Sequence, residues 1–198
     1  MSAPDEPAGP VPGGPAPATR VLSPADLGGL LAHHRLAALR VATVVLGAAE
    51  GADDVVQDAT ERALRAVATY DAALDVRPWF FHIVANVARN QRRSRGRRAA
   101  LALRASSRRE VTETTGASHA TPEDVVVSDD DRRLVNAALN RLGSDDRLVI
   151  ALRHFEELSE QEMAVAMDCP TGTVKSRLSR AMSRLRRELT EDEERARA

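Results

Sequence analysis

Only one cysteine, Cys169, stands among the 198 residues. That excludes an intramolecular disulfide and a zinc site built on clustered cysteines, and it points to the reducing cytoplasm. Aromatic residues are just 3% of the chain, with one Trp and one Tyr. A core must therefore be built mainly from Leu, Val and Ala, a composition that suits helices better than sheets. No apolar run approaches the roughly 20 residues that span a bilayer. The histidines at 33, 34, 82, 119 and 154 lack metal-ligand spacing of the H-E-x-x-H kind, so no metal is expected. No glycine-rich phosphate loop or nucleophile elbow occurs, so neither a cofactor nor an enzyme is expected.

Net charge is also nearly absent, at −1, but the average conceals strong segregation. Residues 92–109 hold eight arginines and no acid, whereas 110–131 hold seven acids and no Lys or Arg. Residues 170–187 hold six basic residues and no acid. Blocks of this kind bear on partners more than the total does.

The first 20 residues contain six prolines and three glycines, which predicts a disordered tail over 1–22. They carry neither an apolar core nor an early basic cluster, so they do not read as a signal peptide. Ser23-Pro24 then suits a helix start, with the serine as cap and the proline at the first helical position. An apolar helical stretch follows to Leu46. After a turn at Gly47–Gly51, a helix over 52–68 carries Val55, Val56, Ala59, Ala63 and Leu64 on one face. Its other face carries Asp53, Asp54, Gln57, Asp58 and Glu61, and acids near a helix N-terminus are favoured by the macrodipole alone. Residues 69–77 read as a loop, and Pro78 opens a helix with Trp79, Phe80, Ile83, Val84 and Val87 on its apolar side. Trp79 is expected in the core.

Ser, Thr and Gly dominate 105–122, which reads as a flexible linker. Helical pattern resumes near Ser128, stops at Gly143 and restarts through Phe155. The chain is expected to be all-α: two small helical domains joined by a flexible linker. The boundaries expected are a tail at 1–22, a first domain at 23–100, a linker at 101–127, a second domain at 128–190 and a charged tail at 191–198.

Within the second domain, residues 158–187 fit a DNA-binding helix-turn-helix. Ser159-Glu160-Gln161-Glu162 matches a capping box. Asp168-Cys169 forms the turn, with Cys169 as a small buried residue, and Pro170 opens the second helix. Val174, Leu178, Ala181 and Leu185 make one buried stripe. A short helix, a tight turn and a longer basic helix is an arrangement that enters a major groove. Thr171, Lys175, Ser176, Ser179 and Arg180 can reach base edges there. Arg177, Arg184, Arg186 and Arg187 are better placed for phosphates. The competing structural account is a helical hairpin with a merely solvated basic face.

Specific strings sharpen this. GTVKSRLSRAMSRLRREL at 172–189, preceded by LSEQEMAVAMDCP, resembles region 4 of the extracytoplasmic-function sigma factors, in the sigma-70 family. RLGSDDRLVIALRHFEELSEQEMA resembles the preceding part of that region. DDVVQDATERALRA at 53–66 and WFFHIVANVARNQRR at 79–93 resemble region 2 of the same proteins. The loop between these last two strings lacks the family's common F-x-G.

The resemblance implies an alternative sigma factor: a chain that binds core RNA polymerase and directs it to promoter DNA. It implies that Asp53, Asp54, Gln57, Asp58 and Glu61 dock on the polymerase clamp. Tyr70 and Asn86 would hold a flipped base of the minus-ten element, with Arg89, Asn90, Arg92 and Arg93 near the strand backbone. The helix-turn-helix would read the minus-thirty-five element. An anti-sigma factor is the expected regulator. The protein is expected to be a cytoplasmic monomer, whereas a freestanding helix-turn-helix repressor would be a dimer on paired half-sites.

Overall fold

A computed structural model describes residues 23–70, 75–105 and 129–197. The expected N-terminal tail, most of the linker and four residues of the loop after Tyr70 lie outside the described residues.

All regular structure among the described residues is helical. The N-terminal half comprises α1 (Pro24–His33), α2 (Arg35–Leu46), α3 (Ala52–Arg65) and α4 (Val76–Ala105), with a 3-10 turn at Val67–Thr69. The C-terminal half comprises α5 (Asp129–Arg141), α6 (Ser144–Ile150), a π turn at Ala151–Phe155, α7 (Glu160–Met167) and α8 (Thr171–Arg197). No single described helix is long and apolar enough to cross a membrane.

Local chemistry sets the starts. Ser23 caps α1 through a reciprocal box with Asp26, and Pro24 follows at the first helical position, where its missing N–H costs nothing. Gly47 closes α2 at φ 81, a left-handed conformation that only glycine adopts freely. Buried residues recur at helical spacing: Ala38, Val41, Ala42 and Val45 on α2, and Val55, Val56, Ala59 and Ala63 on α3. On α4 they are Phe80, Phe81, Val84, Ala85 and Ala88. The two phenylalanines fill the space between helices whose other core residues are small.

The two halves are packed together. α4 lies against α7, and α2 against α6 and the π turn. The buried side chains of both halves form one continuous apolar core, from Leu27 to Leu185.

Several expected boundaries shift. The stretch expected to run unbroken to Leu46 bends by 63° between α1 and α2, at His34, and this lays α1 over α3 and α4. α4 opens at Val76, two residues before Pro78, and passes through exposed Gly96 to Ala105. Helix-forming Arg, Ala and Leu offset the roughly 1 kcal/mol that one glycine costs. The helix expected through Phe155 widens into a π turn after Ile150, with Glu156 N–H donating to Ala151 at 3.2 Å. The last residues expected as a charged tail continue α8 to Arg197 instead. Asp192 anchors that extension, because it is buried and accepts from Arg141 at 2.5 and 2.8 Å.

Candidate nucleic-acid interface

The helix-turn-helix is built as its sequence requires. Ser159 Oγ accepts from the Glu162 N–H at 3.3 Å, and Glu162 Oε2 accepts from the Ser159 N–H at 2.7 Å. Hydrogen bonds to it from the Ser159 hydroxyl and then from the Ser159 backbone hold the Glu162 carboxyl below the ordinary glutamate range, since both favour its charged form. Asp168 makes the turn at φ 50. Cys169 is half-buried rather than fully enclosed. Pro170 sits one residue before α8, and its carbonyl accepts from Thr173 and Val174 at 2.8 and 3.1 Å.

α8 divides into two faces. Val174, Ala181 and Leu185 are buried and Leu178 is half-buried. Lys175, Ser176, Ser179 and Arg180 are exposed on the other side, with Thr171 half-buried at its start. Ser176 and Ser183 donate to carbonyls of their own helix, and Arg180 Nε donates to the Ser176 carbonyl at 3.1 Å. Lys175 reaches Glu160 at 3.1 Å in an exposed pair.

Of the remaining arginines, Arg186 is exposed. Arg187 lies 3.7 Å from Glu188 and 3.9 Å from Glu191. Arg177 lies 3.6 Å from Asp145, and Arg184 pairs with Asp146. Both acids belong to the first turn of α6.

In the N-terminal half, Tyr70 lies against Trp79 with ring centroids 4.6 Å apart. Trp79 is only partly buried at the edge of the core, not inside it as expected, because Phe80 and Phe81 occupy the interior. Asn86 Nδ2 and His82 Nε2 are 2.9 Å apart, and Asn86 Oδ1 accepts from Arg89 at 3.4 Å. Asn90 and Arg93 are exposed, whereas Arg92 is half-buried.

On α3 the acids form the outward face. Asp58 accepts two hydrogen bonds from Arg62, Glu61 one from Arg65, and Asp53 one from Arg35. Asp54 and Gln57 are exposed.

Sequence reasoning overlooked the charged contacts across the halves. Asp145 Oδ1 accepts from Arg89 Nε of α4 at 2.9 Å, so one carboxylate faces both Arg89 and Arg177. Glu156, only 2% exposed in its side chain, meets Arg40 of α2 at 3.1 Å and Arg77 of α4 at 3.6 Å. Arg147 is buried between α6 and the end of α2. Its charge is disfavoured there by burial first and then by Arg92, which pushes its pKa down to about 10. A faint signal existed for Asp145 and Asp146, two acids opening a helix beside a strongly basic one. Glu156 and Arg147 carried none, since each reads locally as a helix-surface charge.

Similarities to known proteins agree with this architecture. Residues 30–98 match the family model for sigma-70 region 2, and residues 132–185 the model for sigma-70 region 4. The chain is 35% identical over 130 residues to the ECF RNA polymerase sigma-E factor of Escherichia coli K12, covering 65% of this chain and 68% of that protein. It is 33% identical over 138 residues to the RNA polymerase sigma-H factor of Pseudomonas aeruginosa, covering 67% and 70%. Among solved structures it resembles the sigma factor RpoE in complex with the anti-sigma factor NepR from Bartonella quintana. That match has a TM-score of 0.63 and 25% identity, over 83% of this chain and 97% of that one. CnrH in complex with the cytosolic domain of CnrY matches with a TM-score of 0.59 and 27% identity, over 85% and 90%. The chain belongs to the extracytoplasmic-function group of the sigma-70 family, as an alternative sigma factor that directs promoter-specific transcription initiation.

Proposed function

We propose a division of labour within this sigma factor. The exposed face of α8 (Thr171, Lys175, Ser176, Ser179 and Arg180) reads the minus-thirty-five element in the major groove, and Arg177, Arg184, Arg186 and Arg187 meet its phosphates. Tyr70 and Asn86 hold a flipped base of the minus-ten element, with Arg89, Asn90, Arg92 and Arg93 along the strand. Asp53, Asp54, Gln57, Asp58 and Glu61 of α3 dock on core polymerase, where exposed acids steer and register a basic partner surface.

The observation that carries this is the two-faced α8. Its apolar stripe is consumed in packing, while Lys175, Ser176, Ser179 and Arg180 remain exposed on the opposite side. The chain works as a cytoplasmic monomer and catalyses nothing itself; the chemistry of RNA synthesis belongs to the polymerase. An anti-sigma factor regulates it, a reading supported by the two structural relatives, RpoE and CnrH, which were solved with NepR and CnrY.

Reconstituted transcription with purified core polymerase is the test. Arg180→Ala is expected to lower promoter-specific transcripts about 5- to 150-fold, the loss of one base contact worth roughly 1–3 kcal/mol, with core binding intact. Asp54→Ala is expected to weaken core binding itself. Unchanged core affinity in Asp54→Ala would remove α3 from the docking surface.

A further inference from the structure

One carboxylate joins arginines from both DNA-binding surfaces. Asp145 stands in the first turn of α6. Its Oδ1 accepts from Arg89 Nε of α4 at 2.9 Å, and its Oδ2 lies 3.6 Å from Arg177 Nη1 of α8. Arg89 in turn donates from Nη1 to Asn86 Oδ1 at 3.4 Å. The proposed function gives Asn86 and Arg89 to the minus-ten element and Arg177 to the minus-thirty-five element.

Arg89 is the firmer of the two ties. Its side chain is 13% exposed, against 27% for Arg177 and 49% for Asp145 itself. A guanidinium so enclosed and already paired is poorly placed to meet a phosphate outside the protein. Asn90 and Arg93, further along the same helix, are exposed, so the loss of access is local to the seam between the halves. Two other contacts keep that seam shut: α7 packs on α4, and Glu156 meets Arg40 and Arg77. Neither of those arginines is assigned to DNA, so the Glu156 cluster holds the halves without masking a DNA contact. Asp145 does both.

We propose that Asp145 is an autoinhibitory clasp, which in the free chain occupies Arg89 and Arg177 in place of promoter phosphates. This rests on the reading of those two arginines as DNA contacts. Carboxylate and phosphodiester are both oxyanions, and a guanidinium serves either through the same N–H groups. Drawing the halves apart takes the carboxylate of α6 away from α4 and frees Arg89, and with it Asn86. DNA that binds the open chain therefore pays for opening, and its apparent affinity falls by the fraction of chains that are open.

Fluorescence anisotropy of the full chain with a fluorescein-labelled oligothymidylate tests this. Asp145→Asn keeps the size of the side chain and removes its charge. It is expected to tighten binding about 5-fold. The plot of log affinity against log salt should also steepen by about 0.7, one further phosphate neutralised on a single strand. Glu50→Gln removes an equal charge from an exposed residue in the turn before α3, and its smaller effect measures the change in net charge alone. Asp145→Asn combined with Arg89→Gln should bind no more tightly than Arg89→Gln by itself. A gain equal to that of Glu50→Gln, or one that survives in the Arg89→Gln background, would overturn the clasp.

Reconstituted transcription separates this from the underlying assignment. With core polymerase present, Arg89→Gln is expected to lower open-complex formation, whereas Asp145→Asn should leave it unchanged. An unimpaired Arg89→Gln would remove Arg89 from the minus-ten strand, and the clasp with it. An impaired Arg89→Gln, beside an Asp145→Asn chain that binds oligothymidylate no better than wild type, would overturn the clasp alone.

Discussion

Glu156 offers the sharpest test of whether the two halves are closed in solution. Its Oε1 accepts from Arg40 Nε at 3.1 Å, and its Oε2 lies 3.6 Å from Arg77 Nη2. Arg77 also donates to the Glu156 carbonyl and lies over the Phe81 ring, 5.8 Å from its centre. Burial is unequal: the carboxylate is 2% exposed, Arg40 41% and Arg77 30%. The cost of breaking the cluster should therefore depend on which side is removed.

Glu156→Gln removes the negative charge and keeps an acceptor. Both arginines can turn to water, so the loss is the net value of one charge-assisted hydrogen bond from Arg40 and a looser ion pair with Arg77, about 1–2 kcal/mol. Arg40→Ala with Arg77→Ala leaves the carboxylate buried and unpaired, a situation that costs roughly 3–5 kcal/mol. Urea unfolding followed by far-ultraviolet circular dichroism reads the difference. With a slope of about 2 kcal/mol per molar urea, the midpoints should fall by roughly 0.5–1 M and 1.5–2.5 M respectively. A double-arginine variant no less stable than Glu156→Gln would mean that the carboxylate is solvated in the free protein and that the seam is open.

Two further perturbations probe local devices. Ser159→Ala removes the cap of α7 and should destabilise the chain by about 1 kcal/mol at neutral pH. Glu162 has its folded-state pKa lowered by Ser159 from the ordinary value of 4.5, so this contribution is full above about pH 4.5 and fades as pH falls through the lowered value. The gap between wild type and variant in midpoint-against-pH curves should narrow on acidification; a constant gap would separate the cap from the ionised carboxylate. Gly47→Ala forces a Cβ into a left-handed position, costing about 1–2 kcal/mol, and against the Arg147 guanidinium. Gly143→Ala, with nothing within 4 Å and a negative φ, should be near neutral by the same unfolding assay. Equal effects at the two glycines would refute the close approach of Arg147 to α2.

What the sequence disclosed and what it hid divide by the range of the interactions. The capping box at Ser159, the start at Ser23-Pro24 and the stop at Gly47 depend on residues within four positions of each other, and all appear in the structure. The Val174, Ala181 and Leu185 stripe followed from periodicity alone. The extent of α8 was missed because Asp192 is held by Arg141, 51 residues away. The bend at His34 was missed because nothing near it breaks a helix; it comes from the packing of α1 over α3 and α4. Trp79 was misplaced because a hydrophobic face at helical spacing does not reveal which of three adjacent aromatics points deepest. The contact of Glu156 with Arg40 was invisible for the same reason as Asp192: the partners are 116 residues apart.

The charge pairs also bear on how strongly the isolated chain can bind duplex DNA. Four arginines assigned to phosphates on α8 face different competition. Arg186 is exposed, and Arg187 meets Glu188 and Glu191 only at 3.7 and 3.9 Å. Arg177 and Arg184 are turned toward Asp145 and Asp146 on α6. The Arg187 pairs are exposed, worth about 1 kcal/mol or less and weakened by salt, so a phosphate can displace those carboxylates at little cost, whereas Asp146 is buried and holds Arg184 more firmly. The net gain is smaller, however, because an arginine that neutralises a phosphate and releases a counterion from the DNA gives up its partner within the chain as it does so. The buried cluster at Glu156 is harder to break than the exposed pairs of Arg187. A chain of net charge −1 whose basic helix is partly screened by its own acids should therefore bind duplex weakly when alone. Affinity then depends on polymerase holding α8 at the promoter, where tethering raises the effective concentration of the second contact and modest phosphate contacts suffice.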